Sequence, residues 1–320
     1  MIRFRFFPIV TLLPMIACTA VEPNAAETPE TTTPENLEPT EEPLREQIFL
    51  DLDNDEDNLQ AWLKTRGSLD PEQDVFFYWT GSIYLQQEAE PDASPVVDFP
   101  GPILEFEGFN VARFVPEGDG VRMISREMAV YKSTFGGILD CWSNSILDVE
   151  NPAQVPVVHV ANDPVNHTLY GADYDIWGDE VVFRTEIQLN TPSPLPIADY
   201  PDYSASNTYQ SVELFNWYVS LQDLQDPNVQ SAPVSISWSR QGQLLPWMKA
   251  GQSTDKLVYH THGRKLLGGF EELPQHLKDY VLEHGPEYQT APSLDLSPNM
   301  TSWRVFKKLV DSGEYTGECE

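Results

Sequence analysis

From residue 181 the run VVFRTEIQLN alternates without a break. Phe183, Thr185, Ile187 and Leu189 fall on one face, and Arg184, Glu186, Gln188 and Asn190 on the other. Successive side chains of a strand point to opposite faces, so the run predicts a strand with one wet side. PVSISWSRQG repeats the pattern, with Val234, Ile236 and Trp238 opposed to Ser235, Ser237 and Ser239. Further β-like runs are VFFYWTGSIYLQ, ILEFEGFNVARFV, VRMISREMAVYK, VPVVHVAN and SVELFNWYVSLQ, divided by turn-rich pieces such as PEGDG, STFGG and TPSPLP. Strands that follow one another from Asp74 to the neighbourhood of Tyr259, with no helices between them, predict an antiparallel meander rather than βαβ units. So many strands in one sheet tend to curl. The expected fold is therefore mainly β, a meander closing into a barrel or a strongly bent sheet.

The period changes at both ends of this region. LREQIFLDLDNDEDNLQAWLKTRGS places Ile48, Leu52, Leu59, Trp62 and Leu63 near helical spacing and predicts an N-terminal helix. Its DLDNDEDN stretch fails as a calcium loop. Aligned on Asp51, Asp53 and Asp55, the required glycine is Glu56 and the required twelfth-position glutamate is Trp62. Acids that suit the dipole of a helix N-terminus are the expected reading. At the other end, LPQHLKDYVLEHG lies between Pro274 and Gly285. NMTSWRVFKKLVDSG has Asn299 or Thr301 as cap, the stripe Trp303, Phe306 and Leu309, and Gly313 as stop. Two C-terminal helices follow, expected to cover an open mouth or edge of the meander.

The first residues change the picture of where such a domain resides. Arg3 and Arg5 precede FPIVTLLPMIA, an apolar run too short to span a bilayer, and Ala17 stands before Cys18. This pattern resembles a bacterial lipoprotein signal over residues 1–17, which implies cleavage before Cys18 and its acylation; Met15 departs from the usual leucine. Residues 18–43 are rich in Pro, Thr and Glu and lack any basic residue. Such a segment buries too little surface to offset its ordering entropy, and reads as a disordered acidic tether. Residues 44–320 form the expected single β-rich domain, lipid-anchored in the cell envelope outside the cytoplasm. Nineteen Lys and Arg against fifty Asp and Glu give a net charge of −31. A nucleic acid or an anionic surface would be repelled, so neither is an expected partner. Cys141 and Cys319 remain for pairing, but one lies in the apolar ILDCW and the other at a terminus prone to fray, which argues against a disulfide.

Candidate chemistry concentrates in HVANDPVNH (159–167) and YHTHG (259–263). In a strand His260 and His262 share a face, so they could present two imidazoles to one metal ion. If the segments meet, His159 would complete the set. The same pair with Asp163 could instead act as acid and base. The plainer alternative is that these histidines only hydrogen-bond within a polar interior, with Asn162, Asp163 and His167 in or after a turn at Pro164. Elsewhere Glu105, Glu107 and Arg113 share one strand face, Asn110 lies with Leu104 and Phe106 on the other, and SREMAVY adds Arg126 and Glu127. Buried charges are costly unless paired, so polar residues inside a barrel suggest a ligand or a water-filled cavity. The tryptophans, Trp79 and Trp238 included, read as ordinary core filler. No G-x-S-x-G, Cys-x-x-Cys, P-loop or G-x-G-x-x-G occurs, which weighs against hydrolase, kinase and dehydrogenase chemistry, and no cofactor is assigned.

FEGFNVARFVPEGDGVRMISREMAVYK, ILDCWSN, HVANDPVNH, YHTHGRKLLGG, the LPQHL-to-PEYQTAP segment and PNMTSWRVFKK together resemble the DUF1838 family of bacterial proteins. The resemblance implies that these segments, tail helices included, form one unit; it implies no activity. The leading expectation is a lipoprotein that binds a small, partly apolar molecule, with Arg113, Arg126, Asn110 and Asn162 as polar contacts and Trp142 as an apolar wall. The alternatives are a metal- or histidine-dependent enzyme acting on a lipophilic molecule, and a structural envelope protein without a cavity.

Overall fold

The computed structural model describes residues 48–87, 101–147, 149–294 and 297–319. The expected signal segment, Cys18 and the tether lie outside them. Helix α1 (Asp55–Arg66) opens the described chain. Nine strands then form one antiparallel sheet: β1 (Val75–Gln86), β2 (Leu104–Glu117), β3 (Gly120–Lys132), β6 (Val160–Leu169), β7 (Asp173–Trp177), β8 (Glu180–Pro192), β9 (Thr208–Ser220), β10 (Val234–Gln243) and β11 (Lys256–Leu266). Two short strands, β4 (Cys141–Ser143) and β5 (Gln154–Pro156), pair separately. The helices α2 (Leu221–Gln225), α3 (Gln275–His284) and α4 (Ser302–Ser312) complete the set. The order across the sheet is β6, β3, β2, β1, β11, β10, β9, β8, β7, so the first strand pairs with the last and two meanders run outward from that seam. The sheet is a half-barrel, the strongly bent form of the two expected.

Residue pattern and register show which face is concave. Trp238 on β10 and Phe106 on β2 lie in one row, three strand steps apart through Thr261 and Gly81. Three steps span roughly 14 Å on a flat sheet. The two rings nevertheless approach to 6.1 Å between centroids, so the sheet bends toward this face. Two apolar clusters occupy the two ends of the concave face. One gathers Leu104, Phe106, Tyr259, Trp247, Met248, Trp303 and Phe306; the other gathers Trp62, Phe77, Phe114, Phe183, Trp217 and Ile236. Strand alternation sends Phe76, Phe109, Val111 and Met128 to the convex face, where Leu277 and Val281 of α3 cover them.

Helix α1 begins where the acids begin. The Asn54 side chain accepts from the backbone N–H groups of Glu56 and Asp57, and three acids fill the first turn. Ile48 and Leu52 precede the helix rather than belonging to it. Trp62, from the expected stripe, packs 5.4 Å from the rings of both Phe183 and Trp217 and so closes one end of the concave face. Pro274 and Gly285 bracket α3, while Thr301 caps α4 and Gly313 stops it in the left-handed region, φ 77.

Two expectations are corrected. No turn forms at Pro164: β6 runs through it, with a bulge opposite Ser125 and Glu127 on β3. Because β6 is an edge strand, a missing proline N–H need not cost a ladder bond. Cys141 and Cys319 are also joined by a disulfide. The terminus does not fray there, because the Cys319 N–H donates to Gln154 O and the Tyr315 hydroxyl donates to Trp247 O at 2.9 Å. These bonds carry the tail back across a sequence separation of 178 residues to β4.

Candidate functional site

Adjacent rows of side chains cross the middle of the concave face, between the two apolar clusters. One row is Gly263, Trp79, Gly108 and Ala129; the next is Lys265, Phe77, Asn110, Glu127 and Asn162. Trp79 therefore has a glycine on each side. A Cβ at Gly108 would lie 2.3 Å from the Cβ of Ala129, and one at Gly263 would lie 2.3 Å from the carbonyl oxygen of Tyr78. Glycine is required at both positions, and it leaves the indole without bulky lateral neighbours. On the far side of this strip stand Phe215 and Trp238, stacked at 5.8 Å, with Trp238 6.4 Å from Trp79. Large aromatics at the centre of a bent sheet would ordinarily be sealed. Trp79, Trp238 and Phe215 are instead only half-buried, and Trp79 Nε1 has no hydrogen-bond partner.

The polar row is incompletely paired. Asn110 is 2% exposed; its amide donates to Arg126 O at 3.2 Å and its oxygen accepts from Arg66 Nη2 at 3.3 Å. Glu127 Oε2 accepts from Asn162 Nδ2 at 3.3 Å, and Asn162 Oδ1 accepts from Ser302 Oγ at 3.2 Å. Among the described residues the second oxygen of Glu127 has no hydrogen-bond partner. Burial, and then the negative charge of Glu213, push the Glu127 carboxyl up against the opposing pull of Asn162 and Arg66.

Arg66 reaches this row from the last turn of α1. Its guanidinium lies 5.1 Å from the ring centroids of both Phe77 and Trp217 and 6.0 Å from that of Phe114. Nη1 has no partner, and burial lowers the group to about 10. The helix end is held in place from beneath: Lys265 Nζ donates to Lys64 O at 2.8 Å, Gly67 O at 2.9 Å and Ser231 Oγ at 3.0 Å. A Cβ at Gly67 would meet the Phe114 ring at 2.6 Å, so glycine allows the close approach of helix to sheet. The other charged pair of the concave face is closed on itself. Arg240 Nε lies 3.4 Å from Glu213 Oε1 and its Nη2 donates to Tyr209 at 2.8 Å, while Trp238 Nε1 donates to Glu213 Oε2 at 3.2 Å.

A stability test follows from Glu127. The unfolded carboxyl ionises near 4.3, and the folded one is raised, so folding is penalised as pH rises above that value. Glu127→Gln keeps an acceptor for Asn162 and removes the penalty. Chemical denaturation at pH 7.5 is expected to show the variant more stable by about 1 kcal/mol, with the gain gone at pH 3.5. An equal difference at both pH values would contradict the assignment.

The expected site residues separate into two groups. Asn110 and Asn162 belong to the concave row. Arg113 does not: it faces outward and is held by Asp74 Oδ1 at 2.6 Å. Arg126 also faces outward, 3.5 Å from Asp163, donating to Glu287 O and lying over Tyr288 at 5.6 Å; it secures the tail rather than a ligand. Trp142 is packed edge-on against Trp247 at 5.8 Å within the apolar cluster.

The histidines do not converge. His260 and His262 are exposed on the convex side of β11, opposite Ser82 and Thr80. His159 lies just before the edge strand β6, where its Nδ1 accepts from the Tyr131 N–H at 3.1 Å and its ring meets Tyr280 of α3 at 5.5 Å. Burial depresses it to about 4, which keeps it neutral. Among the described residues no group of three or more His, Cys, Asp or Glu is placed to hold a metal ion. A histidine and a carboxylate do meet on the convex face, in a different combination: His276 Nε2 lies 2.9 Å from Glu107 Oε2, which also accepts from Lys132 Nζ at 2.8 Å, while the Tyr78 hydroxyl donates to Oε1 at 2.9 Å.

Sequence reasoning missed Arg66, the position of Glu127 and the half-exposed pair Trp79 and Trp238. The available signal was glycine at 81, 108 and 263 in three strands that pair, visible only once their register is known. A family model described as "Protein of unknown function (DUF1838)" matches residues 72–310, which takes in the whole sheet and most of α4 but begins after α1. None of the curated proteins matches the chain.

Proposed function

Because this chain belongs to the DUF1838 family, whose description assigns no activity, we propose its function from the concave face: it binds a small, partly apolar molecule over Trp79, Trp238 and Phe215. The observation that carries the reading is that three large aromatics at the centre of the sheet keep contact with water above a glycine-lined strip. Apolar surface left open between two packed clusters gains free energy when a ligand covers it, about 25 cal/mol per Å². Asn110, Asn162 and Glu127 orient the polar part of the ligand. The protein works as an envelope lipoprotein, anchored by acyl chains on Cys18 at the end of the acidic tether. Supporting that address are the signal-like residues 1–17 and the disulfide between Cys141 and Cys319, a bond that persists in oxidising compartments.

The neutral lipophilic dye Nile red tests the reading on the full chain. One dye is expected to bind per protein with a blue-shifted emission. Trp79→Ala and Trp238→Ala are each expected to weaken binding about tenfold, the equivalent of 1.4 kcal/mol, and His262→Ala on the convex face is expected to leave it unchanged. Binding that persists at full strength when both tryptophans are replaced would place the dye elsewhere and end the proposal.

A further inference from the structure

The concave site holds a cation with no contacting counter-ion: the charge of Glu127 reaches Arg66, but among the described residues the two make neither a hydrogen bond nor an ion pair. Arg66 makes one hydrogen bond, to a neutral amide, and the described residues offer it no carboxylate within ion-pairing distance. Its neighbours Phe77, Phe114 and Trp217 supply only ring faces. The other cations of this face are engaged: Lys265 with two carbonyl oxygens and a hydroxyl, Arg240 with Glu213 and Tyr209. A buried cation left unpaired is costly, and a fork of parallel N–H groups matches a carboxylate better than any neutral group. Beside it, Glu127 stands in the same row, register partner of the Asn110 that accepts from Arg66.

Resting on the binding function above, we infer that the ligand is an amphipathic monocarboxylate, its carboxylate received by Arg66 and its apolar body laid along Trp79, Trp238 and Phe215. Arg66 donates from Nη1, which has no partner in the free protein. Burial raises the Glu127 carboxyl, which favours its protonated form beside a second carboxylate. The clusters at both ends of the concave face then enclose an alkyl or ring system of modest length.

Two probes that differ only at the head group test this on the full chain: dansyl-labelled undecanoic acid and its methyl ester, followed by energy transfer from tryptophan. The acid is expected to bind at least tenfold more tightly than the ester at pH 7. Arg66→Gln is expected to erase that preference by weakening the acid alone, and Arg66→Lys to restore part of it. Should Arg66→Gln fail to fold, Arg66→Lys and the wild-type comparison still decide. Equal binding of acid and ester, or a preference that survives Arg66→Gln, would overturn the carboxylate while leaving an apolar binding site intact. Failure of both probes and of Nile red to bind would overturn the binding function itself.

Discussion

Glu107→Ala is expected to destabilise the protein by about 2 kcal/mol in chemical denaturation at pH 7, because it removes a buried carboxylate that three groups hydrogen-bond at once, one of them the Tyr78 hydroxyl and the others partly solvated cations. Glu107 is 2% exposed and accepts from Tyr78, Lys132 and His276 at once. Those three groups come from β1, β3 and α3, so one carboxylate joins two strands to the helix that covers the convex face. Burial alone would raise this carboxyl; the hydrogen bonds from Lys132, His276 and Tyr78 outweigh burial and hold it below its usual range. With a depressed folded value, its contribution is complete above the unfolded pKa near 4.3 and is lost as pH falls through the folded one. Glu107→Gln should therefore flatten the acid limb of the stability profile, and hydrogen exchange should quicken first in α3. A loss below about 1 kcal/mol would mean that the cluster is an accessory of the surface.

Cys319→Ser is expected to lower stability by about 3 kcal/mol, as is typical when a crosslink is removed from a long loop. For a domain of this size that corresponds to roughly 5 °C in melting temperature. The crosslink spans a sequence separation of 178 residues and ties the tail beyond α4 to β4. Trp303 and Phe306 of α4 pack in the cluster that closes one end of the concave face. Loss of the crosslink should then show as faster hydrogen exchange in α4, β4 and β5, with α1 unaffected. Cys141→Ser is expected to match it, and the double variant to add nothing. Unchanged melting in reducing and oxidising buffer would reject this role for the bond.

Local pattern determined much of this protein. Alternation in VVFRTEIQLN and PVSISWSRQG marked β8 and β10, and capping residues marked α3 and α4. Acids before Trp62 marked the start of α1. The split of Glu105, Glu107 and Arg113 from Asn110 was legible too, because a side chain's face follows from its place in the strand. Which of the two faces turns inward was decided only by the curvature of the sheet, and that depends on every strand together. So Arg113, plausible as a ligand contact, meets Asp74, while Glu127 meets the concave strip. His159, His260 and His262 look like a set along the chain, yet four strand steps divide the strand that follows the first from the strand that carries the other two. Arg66 and the pairing of Cys141 with Cys319 were equally out of reach. Each depends on a contact between distant segments, and the packing that produces such contacts has no local signature.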